Sequence, residues 1–279
     1  MILPKIIKNA LQEDIGSGDH SSLAAVPETA QGKMKLLAKE KGIVAGIEVA
    51  KEVLRQVDSS ILVHCYKNDG DALNVGDIVF ELEGKARSML TAERTLLNFM
   101  QRMSGIATVS EKYADAVKGT KAKILDTRKT TPNLRVLEKY AVKIGGCENH
   151  RFGLYDMIML KDNHIDFAGS IEKAIDNTHD YLKKNGLDLK IEVETRTLEE
   201  VKRVVTHGKI DRIMLDNFTP QKLKEALKLI DGKYETEASG GITLENIKEY
   251  AQTGVDYISI GALTHHIKSL DLSLKFIPL

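Results

Sequence analysis

From residue 122 onward the chain alternates short apolar runs with amphipathic stretches, and that alternation leaves few folds open. The runs are AKILDT (122–127), DMIMLK (156–161), LKIEVET (189–195), DRIMLD (211–216), YETEAS (234–239) and DYISIG (256–261). Most are mainly apolar and end in polar or small residues, as buried parallel strands do on reaching their loops. Helical spacing fills the gaps. After Pro132 the residues Leu134, Leu137, Ala141 and Ile144 share one face, with Gly145-Gly146 as the stop. Further helices are expected over 168–185, 197–207, 219–231 and 243–252, the last three opening on Thr197, Thr219 and Thr243 as N-caps. Strands and helices in this order build right-handed βαβ units around a parallel sheet, and the number of units favours a barrel over an open sheet. In such a barrel the working residues stand at the carboxyl ends of the strands.

That rule selects residues directly. The strand ends carry Arg128, Lys161, Glu192 or Glu194, Asp216, Ser239-Gly240-Gly241 and Gly261-Ala262. Glu192 and Glu194 point the same way, so alternation alone does not choose between them. The two glycine loops follow the last two strands, where backbone N–H groups and a helix start can receive a phosphate. There is no P-loop and no dinucleotide fingerprint, which points to a sugar phosphate as ligand. Between 126 and 165 the cationic or ionisable residues Arg128, Lys129, His150, Arg151, Lys161 and His164 sit beside turn signals (Thr131-Pro132, Gly145-Gly146, Gly153) rather than along one helix face. Placed so, they can converge on one anion.

The first part of the chain has a different pattern. An amphipathic helix over 2–12 leads to the polar turn 13–19. Strand-like runs at 33–46, 61–66 and 74–83 surround a helix at 47–57. A long helix follows from Thr91, with Gly105 as a possible break and with Arg94 and Arg102 two turns apart. We expect an N-terminal α+β domain over 1–110, joined by the tail 265–279, and an α/β barrel domain over 111–264.

Lys plus Arg and Asp plus Glu are 40 each, so the balance gives no footprint for nucleic acid or an anionic membrane, and anion recognition has to be local. The two cysteines lack metal-ligand spacing and read as reduced thiols, which suits the cytoplasm. The apolar start is broken by Pro4, Lys5 and Lys8, unlike a signal peptide, and no run of 18 apolar residues is available to span a membrane.

Several motifs resemble those of the quinolinate phosphoribosyltransferases, the carboxylating nicotinate-nucleotide pyrophosphorylases. They are Thr127-Arg128-Lys129-Thr130, the Lys-Tyr-Ala-Val run at 139–142, Asn149-His150-Arg151 and Lys161-Asp162-Asn163-His164. Glu93 to Asn98 and Ser104 to Thr108 are similar to the family's helix that reaches into the partner subunit's site. The likeness extends from the turn at 13–19 to Gly261-Ala262-Leu263-Thr264-His265. It implies an incomplete, open α/β barrel carrying an N-terminal α+β sandwich domain, in a homodimer or larger homo-oligomer with shared active sites. The implied reaction converts quinolinate and phosphoribosyl pyrophosphate to nicotinate mononucleotide, pyrophosphate and CO2 in NAD biosynthesis, with Mg2+.

By this resemblance Lys129, Lys161, Glu192 and Asp216 are the catalytic residues. Arg128, Arg151, His150 and Lys161, with Arg94 from the neighbouring chain, receive quinolinate; forked guanidinium groups suit a planar dicarboxylate. Glu192, favoured over Glu194 by the likeness, and Asp216 hold ribose hydroxyls, Mg2+ or both. Lys129 and the loops Ser239-Gly240-Gly241 and Gly261-Ala262 take phosphates, and Thr130 completes the binding set. Three alternatives compete: a related phosphoribosyltransferase-like protein of molybdenum metabolism, a Schiff-base aldolase using Lys161 or Lys129, and a non-enzymatic phospholigand sensor.

Overall fold

The structure is a computed structural model and describes residues 2–278. In chain order its elements are α1 (Ile2–Ile15), α2 (His20–Ala25), β1 (Gln31–Ala38), β2 (Gly42–Ile43), α3 (Ile47–Val57), β3 (Leu62–Cys65), β4 (Ala72–Leu73), β5 (Ile78–Lys85), α4 (Ala86–Ala116), β6 (Lys123–Leu125) and α5 (Arg135–Ile144). There follow β7 (Ile158–Leu160), α6 (Asp162–Ala168), α7 (Ile171–Asn185), β8 (Ile191–Thr195), α8 (Leu198–His207), β9 (Arg212–Asp216), α9 (Pro220–Ile230), β10 (Glu235–Ser239), α10 (Ile247–Ala251), β11 (Tyr257–Ser259), α11 (Ala262–His265) and β12 (Leu272–Ile277). Two compact units emerge. One gathers the chain up to Glu111, Thr130–Gly146 and the end from Ala262; the other gathers Lys112–Lys129 and Cys147–Gly261.

The first unit is built on a four-stranded sheet in the order β12-β1-β5-β3. β1 lies in its middle and pairs antiparallel with both β5 and β12. Along β1, Met34, Leu36 and Ala38 alternate into the core while Lys33 and Lys35 face outward, the pattern of a sheet covered on one side. The helix α3 buries Ile47, Ala50, Val53 and Leu54, an i, i+3, i+6, i+7 stripe. α4 starts five residues before Thr91 and passes Gly105 without a break. A Cβ at Gly105 would strike the carbonyl of Lys268, so glycine serves close approach there rather than helix termination. Arg102, on the same helix, donates to Glu138 at 2.6 and 2.8 Å and to the Thr131 hydroxyl at 2.8 Å, which ties α5 and the turn before it to α4.

The second unit is a six-stranded parallel sheet in the order β6-β11-β10-β9-β8-β7. Its strands follow one another from β7 to β11, and β6, first in the chain, returns beside β11 in parallel register. Among the described residues no pairing joins β6 to β7, so the barrel is open at that seam. The open side of β6 is met by the following loop, where the Glu148 amide donates to the Ile124 carbonyl at 2.8 Å. Thr197 and Thr219 cap α8 and α9, accepting from the amides of Glu200 and Lys222, and Ser170 caps α7 in the same way. Thr243 does not cap a helix as expected: α10 begins only at Ile247, and the Thr243 amide donates to Asn246 Oδ1 at 2.8 Å. The short helices α2 and α6 were also not anticipated, being too brief for periodicity to reveal.

Candidate active site

The strands of the second unit all deliver their carboxyl ends to one cavity of about 680 Å³. Its wall includes Arg128 and Lys129 after β6, Lys161 after β7, Glu194 in β8, Asp216 and Asn217 at the end of β9, Ser239 to Gly241 at the end of β10, and Gly261 after β11. His150 and Arg151 enter from the loop beside β6. That loop is fixed by Asp126, a fully buried carboxylate that accepts from the His150 amide at 2.9 Å and from the Asn149 side chain at 2.7 Å. Asp126 thus carries the basic loop on the end of β6.

Arg128, Lys129, His150, Arg151 and Lys161 all line this one cavity. Arg151 donates to the Met157 carbonyl at 3.1 Å, which anchors its guanidinium. Burial, and then the charge of neighbouring Arg128, hold Arg151 below its ordinary pKa. Like charges that share a cavity are relieved when an anion enters between them. Across the cavity, Lys161 Nζ meets Glu194 at 2.6 Å. Burial, and then the Glu194 charge, hold the Asp216 carboxyl above its ordinary value, while Lys161, Asn217 and Ser239 pull it down. At Gly261 a Cβ would sit 3.1 Å from the Lys129 side chain, which lies across this loop with its ammonium close by.

A second, drier layer lies beneath. Glu192 and Glu237 are fully buried, and each faces His150 Nε2, at 3.0 and 3.2 Å. Burial disfavours charge on this imidazole, but the two carboxylates outweigh it and push it up to about 9. The Arg151 amide donates to His150 Nδ1 at 2.7 Å, which orients the ring with Nε2 toward the carboxylates and opposes the second proton that those carboxylates favour. Burial and the Glu237 charge push Glu192 up to about 7. Arg212 completes the layer, donating to Glu237 at 3.0 Å and to Glu235 at 3.0 and 3.2 Å and stacking on Tyr257 at 4.0 Å. His150, Glu192 and Glu237 bring ligand-type atoms within 4.8 Å of one another, and Arg212 supplies the positive charge a cation would otherwise bring.

The fourteen residues singled out from the sequence therefore separate by place. Arg128, Lys129, His150, Arg151, Lys161, Asp216, Ser239, Gly240, Gly241 and Gly261 line the cavity. Glu192 does not: the β8 carboxylate in the wall is Glu194, two residues nearer the strand end. Thr130 belongs to the first unit and accepts from Arg135 at 2.9 Å. Ala262 opens α11, and Arg94 stands exposed on α4, both outside the wall. Sequence reading missed Asn217, Glu237 and Arg212. The last two had a signal, since they are charged residues within strands of a parallel sheet buried on both faces, and strand register sets Arg212 between Glu192 and Glu235.

Comparison with known proteins is consistent along the whole chain. Residues 106–275 match the family described as quinolinate phosphoribosyl transferase, C-terminal domain, and residues 19–104 match its N-terminal domain. The chain is 48% identical over 288 residues to quinolinate phosphoribosyltransferase [decarboxylating] 2b, mitochondrial, of Nicotiana tabacum, covering 98% of this chain and 82% of that protein. It is 44% identical over 272 residues to the probable nicotinate-nucleotide pyrophosphorylase [carboxylating] of Bacillus subtilis, covering 98% and 92%. The crystal structure of NadC from Streptococcus pyogenes superposes with a TM-score of 0.92 at 42% identity, over 98% of this chain and 96% of that one.

Proposed function

The chain belongs to the quinolinate phosphoribosyltransferase family, and on that premise we propose that the cavity at the barrel mouth takes quinolinate at its basic side and phosphoribosyl pyrophosphate at its acidic and glycine-rich side. The reaction is decarboxylating phosphoribosyl transfer in NAD biosynthesis. The observation that carries the placement is that Arg128 and Arg151 line the same cavity, with the Arg151 charge disfavoured by its burial and by the charge of Arg128. A planar dicarboxylate relieves both guanidinium groups at once through forked hydrogen bonds. Lys161 adds a third donor from the end of β7.

The ring nitrogen of quinolinate attacks the anomeric carbon as the bond to pyrophosphate breaks, through a cation-like ribosyl state. Asp216 stands at the end of β9 to hold ribose hydroxyls, and Lys129 with Ser239 to Gly241 and Gly261 receives phosphate oxygens. The carbon–carbon bond to the carboxylate next to the ring nitrogen then breaks, its electron pair drawn into the pyridinium, and a proton takes the place of CO2. No side chain forms a covalent bond to substrate. Mg2+ suits this wall, since it binds through one or two carboxylates plus substrate phosphates. Asp216 and Glu194 offer such oxygens, whereas those of Glu192 are turned to His150 in the layer below. When bound, Mg2+ neutralises charge on the departing pyrophosphate.

The functional molecule on this reading is a homodimer or larger homo-oligomer in which Arg94, exposed on α4, serves a neighbouring chain's cavity. Cys65 and Cys147 form no disulfide, and burial first and then the Asp126 charge push Cys147 up to about 12, so it stays a thiol; these features support a reducing compartment, the cytoplasm. No helix among the described residues is long and apolar enough to cross a membrane. The test is release of CO2 and pyrophosphate with quinolinate against nicotinate as acceptor. Quinolinate should be used and nicotinate barely at all, because the missing carboxylate leaves the cations that line the cavity short of one anionic partner. Comparable turnover of nicotinate would count against the placement.

A further inference from the structure

The cavity wall contains one side chain that touches both halves of the proposed donor site and that the reaction scheme leaves without a role. Asn217 follows β9 with a φ of 58°, a left-handed conformation rare outside glycine, asparagine and aspartate. Its backbone amide donates to the Ser239 carbonyl at 2.8 Å, extending the β9 and β10 ladder one residue past its end. Its side-chain amide donates to Asp216 Oδ2 at 2.7 Å. Its side-chain carbonyl oxygen packs against Gly240, so closely that a Cβ on Gly240 would lie under 3.0 Å from Asn217 Oδ1, Cγ and backbone nitrogen. Gly240 has a φ of 93°, so both the turn and the approach require glycine there. The Asn217 side chain is nonetheless exposed to the cavity.

We infer that Asn217 is a positioning residue for the phosphoribosyl donor: it fixes the orientation of the Asp216 carboxylate and the position of the Ser239-Gly240-Gly241 loop against each other. The left-handed turn aims the amide at both neighbours. One face of the planar group abuts the loop, and its N–H clamps the carboxylate in one rotamer. The distance between the group that holds the ribose and the loop that holds a phosphate is thereby set by this amide together with the Ser239 side chain's own hydrogen bond to Asp216. This inference rests on the donor side of the cavity as assigned above.

Asn217→Gly tests it, because glycine accepts the left-handed backbone and only the side chain is lost. With wild-type protein turning over quinolinate, Asn217→Gly should raise KM for phosphoribosyl pyrophosphate about tenfold or more and lower kcat, as expected for loss of a hydrogen bond to a charged group. The Kd of quinolinate, measured by calorimetry without donor, should stay within about twofold, since the Asn217 partners described above, Asp216, Ser239 and Gly240, all lie on the donor side. Asn217→Asp, which keeps the shape but sets a second carboxylate against Asp216, should be at least as impaired. A merely structural role would instead lower the melting temperature and weaken both substrates together. An unchanged KM for the donor in Asn217→Gly, or a parallel loss of quinolinate affinity, overturns the inference while leaving the assigned reaction intact. Failure of the wild-type protein to release pyrophosphate and CO2 overturns the reaction and the inference with it.

Discussion

Glu237 accepts from Arg212 at 3.0 Å, faces His150 at 3.2 Å and has no contact with solvent, so its charge is set among partners that water does not screen. Replacing it by Gln keeps the volume but leaves Arg212 with only Glu235 and the more distant Glu192 to balance it. Urea unfolding should show Glu237→Gln destabilised by about 1–3 kcal/mol, and Glu237→Ala by about 3–5 kcal/mol, because truncation adds a cavity beside an unpaired buried charge. A Glu237→Gln protein as stable as wild type would mean that the dry layer contributes nothing to folding. The same layer shows where residue-level reading stops. Period-two alternation places Glu192 and Glu194 on one face, and that is all it can give. Depth separates them: residues two apart are about 7 Å apart along a strand, enough to put one carboxylate in the cavity wall and the other beneath it. Arg128, Lys161 and Asp216 were legible because a strand end followed by a loop is a local pattern. Asn217 was not, since its importance comes from Gly240, in the loop after the next strand, and from a backbone angle that sequence does not display.

At the scale of elements, the parallel strands and most of their helices were legible because each carries its own periodicity and its own cap. Gly105 was misread as a possible break, since glycine weakens a helix by about 1 kcal/mol whether it ends one or lets another chain segment approach. Its reason lies in the tail, at the carbonyl of Lys268. Gly105→Ala should therefore destabilise despite the better helix propensity of alanine, by about 1–3 kcal/mol as for other overpacked sites, with a melting temperature below wild type. A rise in melting temperature would show that helix propensity outweighs packing at this contact. The corner between α3 and α4 gives a pH-dependent case. Asp58 accepts from the Ser60 amide at 3.0 Å, from the Ser60 hydroxyl at 2.6 Å and from the Ser88 hydroxyl at 2.8 Å, and the Ser60 and Ser88 bonds hold its carboxyl down at about 2. A folded-state pKa below the unfolded value contributes stability that is present above the unfolded pKa and lost as pH falls through the folded one. Asp58→Asn should thus cost about 1 kcal/mol at pH 7, discounted because the site is near solvent, and less at pH 3. An equal deficit at both pH values would show that charge has no part in that corner.

For the whole molecule, the question is whether one chain completes its own cavity. The parallel order β6-β11-β10-β9-β8-β7 follows from right-handed crossovers, and the open barrel was anticipated by the family resemblance. The strand β12 was not read as a strand; it pairs with β1 over register partners from Lys33↔Ile277 to Ala38↔Leu272, a long-range match that no local pattern announces. Arg94 lies exposed on α4, one turn from exposed Asn98, and is absent from the cavity wall. An exposed helix arginine contributes little to stability, so Arg94→Ala should fold normally and lose quinolinate binding only if another chain's cavity uses it. Arg94→Ala chains and Lys161→Ala chains, each nearly inactive alone, should then rescue one another on mixing. In a closed two-fold dimer with random exchange, half the molecules are mixed and each mixed dimer has one site with both residues intact, which gives roughly a quarter of wild-type activity. Native mass measurement confirms that subunits have exchanged, and calorimetry on the Arg94→Ala protein reports quinolinate binding separately from turnover. Exchange without recovered activity would mean that Arg94 serves its own chain or no site at all, and a shared cavity would have to be given up.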